Sequence, residues 1–181
     1  MLLKQKDSIL ALIDVQQKLL PLIANHEPLV QRCEWLLRLA KKLDVPIIVS
    51  EQYPKGLGNT VELLNTHINK GNIIEKVHFS CMQQPDYIQR LSSLNKKQVV
   101  LIGIEAHVCV FQTAMEMNDA GYEVYAVVDA VGSRNDLDKS YALKRMKQAG
   151  IHLVTSEMVF FEWIRVAGTP EFKALSYEFL H

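Results

Sequence analysis

Cys109 stands in "GIEAHVCVFQT" (103–113), where the apolar run "QVVLI" gives way to a helix-like pattern. A cysteine at a helix start faces unpaired backbone N–H groups and the positive end of the helix dipole. Both favour the thiolate, the nucleophilic form. The same N–H groups can hold an oxyanion as it forms during acyl transfer. An inert thiol fits the position too, since free cysteine is among the most buried residue types. Asp14 closes another apolar run, "SILALID". A carboxylate there is costly to bury unless it is paired or working. It could take the proton of a thiol, cap a helix or pair with a cation. Lys76, in "IIEKVHFSC", lies among apolar residues. It could pair with Asp14 and set both pKa values, or be a solvated surface lysine.

Other chemistries find less support. Cys33 sits on a helical apolar face and Cys81 lacks a strand-to-helix setting, so both are expected to be structural. Six histidines stand at 26, 67, 78, 107, 152 and 181, with no H-x-x-x-H or H-E-x-x-H pair. The chain reads "SEQYP" around Glu51, with no histidine beside it, so no metal site is expected. His107 precedes Cys109 by two residues; it could form a Cys–His dyad or point elsewhere. Neither G-x-G-x-x-G nor G-x-x-x-x-G-K-[ST] occurs, and "KGLG" does not lead from a strand into a helix, so no dinucleotide cofactor is expected.

The elements that must position these residues alternate. Short apolar runs predict strands at 8–14, 45–50, 98–105, 122–131 and 151–159, with a less distinct one at 72–79. Helical periodicity marks 27–43, 85–94, 109–120 and 136–150, the last two closed by Gly121 and Gly150. Residues 52–60 read as a loop, and two short helices follow in "FFEWIRVA" and "PEFKALSYEFL". Strands apolar on both faces and alternating with helices predict an α/β fold, an open parallel sheet with helices on both sides. Ligands of such sheets bind beyond the carboxyl ends of the strands, which directs attention to Asp14, Glu51, Cys109, Asp129 and Ser156.

The chain has 181 residues, 49% hydrophobic and 22% charged, ordinary values for one globular domain over 1–181. Twenty basic residues balance twenty acidic ones, so nothing draws the chain to nucleic acid or an anionic membrane. Three cysteines without a C-x-x-C argue for a reducing compartment. No signal peptide or membrane span is expected. The chain reads as cytoplasmic.

The order Asp, Lys, Cys, carried by "ALIDVQQKL", "EKVHFS" and "GIEAHVCVFQTA", resembles the isochorismatase-like cysteine hydrolases, a family that includes nicotinamidases and N-carbamoylsarcosine amidases. The loop "EQYPKGLG" and the stretch "GTPEFKALS" resemble its isochorismatase-domain-containing branch, and the resemblance covers nearly the whole chain. It implies a six-stranded parallel sheet and a triad of Asp14, Lys76 and Cys109 that cleaves a C–N bond, of the amide type, in a small molecule. Asp14 would accept the thiol proton, Lys76 would keep Asp14 charged, and Cys109 would attack the carbonyl carbon. The resemblance also implies a non-proline cis peptide at Ile104–Glu105, or one bond later. Backbone N–H groups of Glu105, Ala106 and Cys109 would then form the oxyanion hole. A homo-oligomer is expected, with Tyr53, Phe79, His107 and Trp163 as candidate pocket residues. Two departures matter. Nicotinamidases carry a metal-binding Asp-x-His where this chain has Glu51, Gln52 and Tyr53. Isochorismatases proper lack the cysteine and cleave an enol ether by acid catalysis. A scaffold protein of the same fold, or a redox-sensing thiol at Cys109, are the rival readings.

Overall fold

The computed structural model describes residues 1–180. Its elements run β1 (Ser8–Ile13), α1 (His26–Lys42), β2 (Ile47–Gln52), α2 (Pro54–Leu57), α3 (Glu62–Asn65), β3 (Ile73–Lys76) and α4 (Pro85–Ser93). There follow β4 (Gln98–Ile104), α5 (Cys109–Asp119), β5 (Glu123–Gly132), α6 (Asp136–Gln148), β6 (His152–Val154), α7 (Ser156–Ile164) and α8 (Pro170–Phe179). The six strands form one parallel sheet in the order β3-β2-β1-β4-β5-β6.

Successive strand residues face opposite sides of the sheet, and both sides are dry here. Leu10 and Leu12 of β1 join Val100, Ile102 and Ile104 of β4 in a core closed by α1, α7 and α8. Ile9, Ala11 and Ile13 join Val99 and Leu101 in a second core under α4, α5 and α6. This explains why the strands read as continuous apolar runs rather than alternating ones.

The order reverses at β1, whose neighbours are β2 and β4. The carboxyl ends of these central strands therefore border the crevice where open α/β sheets bind ligands. Ile13 of β1 pairs with Gly103 of β4 there. Gly103 has φ +118°, and a Cβ at that position would lie 2.1 Å from the Ile13 carbonyl oxygen. Only glycine suits both the backbone and the contact.

The expected strand over 151–159 ends early. Strand β6 stops at Val154, and the apolar residues Met158 and Val159 belong to α7. Thr155 is the reason: its hydroxyl accepts the Met158 N–H at 3.3 Å and caps the helix. Asp129 strengthens the turn by accepting from both the N–H and the hydroxyl of Ser156, at 2.9 and 2.5 Å. The expected loop 52–60 also contains the short helix α2.

Candidate active site

Asp14 follows β1 in the left-handed region, φ +50°, and is wholly buried. Its N–H donates to the Ser50 carbonyl at 3.1 Å, and the Ser50 hydroxyl returns a bond to Oδ1 at 2.7 Å. Oδ2 accepts from the Lys76 ammonium, also at 2.7 Å. Lys76 ends β3, and its side chain is 1% exposed. The ammonium has three N–H bonds for four nearby acceptors: Asp14, Gln52 Oε1 at 2.6 Å, and the carbonyls of Phe79 and His78 at 3.0 and 3.2 Å. Burial alone would lower its pKa. The Asp14 charge, with contributions from Cys81, Cys109 and the hydrogen bond to Asp14, outweighs burial and leaves the ammonium raised.

Cys109 is the first residue of α5 and 5% exposed. Its Sγ lies 4.0 Å from Gln52 Oε1, the atom that also receives Lys76. The thiol pKa is pushed well up. Burial is the main cause, the Asp14 carboxylate is next, and hydrogen bonding to Asp14 adds to it, while Lys76 works the other way. The helix start thus does not dominate this thiol: burial and the neighbouring carboxylate hold it up. Cys81, fully buried, lies in the same field; its thiol is pushed up to about 11, chiefly by burial and then by Asp14. Cys33 is raised further by burial, with Asp129 second.

The Ile104–Glu105 peptide is cis. The Ala106 N–H donates to the Gly132 carbonyl at 2.7 Å, which removes it from the expected oxyanion donors. The Glu105 and Cys109 N–H groups have no acceptor among the described residues. The Glu105 carboxylate is nearly buried and paired with Arg134. His107 meets the Ser133 hydroxyl through Nδ1 at 2.9 Å rather than facing Cys109 in a dyad.

The pocket candidates divide. Tyr53 and Phe79 are 55% and 54% exposed. Tyr53 lines a cavity of about 340 Å³ beside Lys76, Val77 and Gln84, and the Phe79 carbonyl holds the ammonium. Trp163 is misplaced by the sequence reading. It is a buried core residue whose Nε1 donates to Ser8 Oγ at 3.0 Å. Ser8 begins β1, so Trp163 packs at the amino edge of the sheet, opposite the Asp14 end. Asp129 and Ser156 cap α7 and stay outside the site.

Sequence reasoning missed Ser50 and Gln52. They alternate on β2 with Glu51 between them, so both face Asp14 and Lys76 while Glu51 turns away. That period-two pattern in "SEQ" was the available signal. Glu51 Oε1 accepts the N–H and hydroxyl of Thr60 at 2.6 and 2.7 Å. The Gln52 amide is tied to Lys76 and to the Val77 carbonyl, and Tyr53 offers no ordinary metal-binding group. These three residues do not fit the Asp-x-His metal site of nicotinamidases. Among the described residues, no group of three or more His, Cys, Asp or Glu is gathered as for a metal.

An Isochorismatase domain profile matches residues 8–158. Isochorismatase domain-containing protein 2 of Xenopus laevis is 39% identical over 172 residues, spanning 94% of this chain and 82% of that protein. A Caenorhabditis elegans structure described as MAR1 ribonuclease superposes with a TM-score of 0.92 at 36% identity, covering 100% of this chain and 93% of that one. The YcaC gene product of Escherichia coli, described as an octameric hydrolase of unknown specificity, superposes at 0.89 with 26% identity over 100% and 98% of the two chains. With a domain profile over most of its length and relatives this similar, the chain belongs to the isochorismatase family.

Proposed function

We propose that this chain is a cysteine hydrolase that opens a C–N bond of the amide type in a small molecule. The observation that carries the reading is the buried Asp14–Lys76 pair, 2.7 Å apart, set beside a nearly buried Cys109 at a helix start. Sulfur attacks the substrate carbonyl carbon as its proton passes to Asp14. The carbonyl oxygen becomes negative beside the Glu105 and Cys109 N–H groups. Asp14 returns the proton to the departing nitrogen, the C–N bond breaks and a thioester remains on Cys109. Water then loses a proton to Asp14, adds to the thioester and releases the acid and the thiol. Lys76, bonded to Asp14 Oδ2 at 2.7 Å, holds the carboxylate in place and offsets its charge between these transfers. The raised thiol counts against a redox sensor, which needs a low pKa and exposure.

We also infer that the chain acts as one domain and self-associates, as the octamer described for YcaC suggests. Its three free, buried thiols suit a reducing compartment such as the cytoplasm. No helix among the described residues is long and apolar enough to cross a membrane. The ribonuclease description of the Caenorhabditis elegans relative raises RNA as a second substrate class. The balanced surface charge and the engagement of Lys76 by Asp14 offer little to a phosphodiester.

The test is ammonia or amine release from a panel of small amides, with mass spectrometry of the Cys109 peptide for an acyl adduct. Wild type should turn over some members and show the adduct, while Cys109→Ala and Asp14→Asn should not. Turnover that survives Cys109→Ala refutes the mechanism. A panel without turnover or adduct, together with RNA cleavage by wild type, would transfer the reading to RNA.

A further inference from the structure

The Glu105 side chain presents a problem that the mechanism above leaves open. It sits just before the nucleophile, nearly buried, where a carboxylate is costly unless paired. Its partner comes from the loop after β5. Arg134 donates to it three times: from its backbone N–H to Oε2 at 3.3 Å, and from Nε and Nη2 to Oε1 at 3.1 and 3.0 Å. The neighbouring contacts repeat the pattern. Gly132 accepts from the Ala106 N–H at 2.7 Å, and the Ser133 hydroxyl meets His107 at 2.9 Å. Three consecutive residues, from the last of β5 into the loop after it, thus hold three consecutive residues of the segment before Cys109. The Glu105 carbonyl is engaged as well, accepting from the N–H groups of Val108 and Val110 at 3.0 and 3.2 Å. Among the described residues, the Glu105 N–H alone of its polar groups has no partner.

We propose that Arg134 is a positioning residue, which through the Glu105 carboxylate fixes the Glu105 peptide so that its N–H is held in place as an oxyanion donor. An oxyanion donor works by being in place before charge develops, and small displacements are costly. A buried ion pair on the side chain of the donor residue supplies that rigidity. It also explains the residue type: a glutamate at 105 can reach an arginine on a separate loop. This inference rests on the cysteine-hydrolase reading.

The experiment uses two probes of Cys109 with different needs. Iodoacetamide alkylates sulfur by displacing iodide from a saturated carbon and requires no oxyanion donor. Propionaldehyde forms a thiohemiacetal: the S–C bond forms, the carbonyl π bond opens, the thiol proton ends on oxygen and nothing leaves. That oxygen occupies the position of the oxyanion. Aldehyde affinity is read as protection of Cys109 from alkylation. Arg134 is 56% exposed, so Arg134→Ala should fold. It should keep the alkylation rate within about twofold while its aldehyde affinity falls about tenfold, a fraction of the hundredfold or more seen when a donor is lost outright. Arg134→Lys, which retains one charged bond, should recover part of the affinity. Unchanged aldehyde affinity in Arg134→Ala overturns the proposal and leaves the hydrolase reading intact. So does equal loss of both reactivities, which would mean general loosening of the site. A wild-type Cys109 that neither probe modifies in preference to Cys33 and Cys81 removes the hydrolase reading itself.

Discussion

Replacing Lys76 by Met keeps most of the unbranched side chain and deletes its charge. The structure allows the cost to be bounded. Both members of the pair are buried, at 1% and 0% side-chain exposure, and lie 2.7 Å apart. Breaking such a pair by removing one partner costs about 3–5 kcal/mol, because the other charge is left uncompensated. For a domain of this size that is roughly 6–20 °C in Tm. Urea unfolding followed by the fluorescence of Trp35 and Trp163 measures it directly. The Lys76→Met, Asp14→Asn double variant should regain part of the loss, since it no longer buries a lone carboxylate. The pH dependence has a definite sign. The folded pKa of Lys76 is raised above its unfolded value. Its contribution is therefore fully present below the unfolded value of about 10.4 and is lost as pH rises through the higher folded one. The gap between wild type and Lys76→Met should be constant from neutral pH to about pH 10 and narrow above it. A Lys76→Met protein within about 1 kcal/mol of wild type would refute the reasoning, because a carboxylate left buried without its partner must carry a cost. So would a double variant no more stable than the single one.

Cys109 should carry its proton at neutral pH, as its burial and the Asp14 charge require. Thiolate absorbance of wild type minus Cys109→Ser should stay flat to about pH 9, and a step at or below neutrality would contradict this. Thr60→Val removes a hydroxyl from the buried Glu51 carboxylate. It should cost about 1.5–3 kcal/mol in urea unfolding, the range for a hydrogen bond to a charged group, and a neutral result would mean that the Thr60 N–H alone satisfies Glu51. Tyr87→Phe removes a buried hydroxyl that finds no hydrogen-bond partner among the described residues and lies near the Cys81 thiol. Its stability should stay within about 1 kcal/mol of wild type or rise, and a larger loss would reveal a partner.

The parts of the fold that were legible in the sequence were those with a local cause. The strands are apolar on both faces because helices cover both faces, and α5 and α6 end where Gly121 and Gly150 follow. Asp14, Lys76 and Cys109 could be singled out because Asp14 closes an apolar run, Lys76 lies among apolar residues and Cys109 stands where a run gives way to a helix. What the sequence concealed depends on contacts between distant segments. Lys76 and Asp14 are 62 residues apart, and the alternation in "SEQ" puts Ser50 and Gln52 on one face without telling which residues that face meets. Trp163 illustrates the converse: an aromatic residue on an apolar helix suits a pocket wall and a core equally, and only the packing of α7 places it against Ser8. The β6–α7 boundary was missed because a capping threonine and a distant aspartate, rather than a glycine or proline, turn the chain.

The contact between Gly103 and Ile13 bears on how this protein could change over time. Strand β1 delivers Asp14 and strand β4 leads to Cys109, so the backbone approach at Gly103 gauges the distance between carboxylate and thiol. Even a methyl group there would wedge the two strands apart. Shifts of about 1 Å at a reacting centre can cost a hundredfold in rate. Position 103 is thus closed to every other residue without being chemical itself, and a loss of activity traced to it would report a change of spacing.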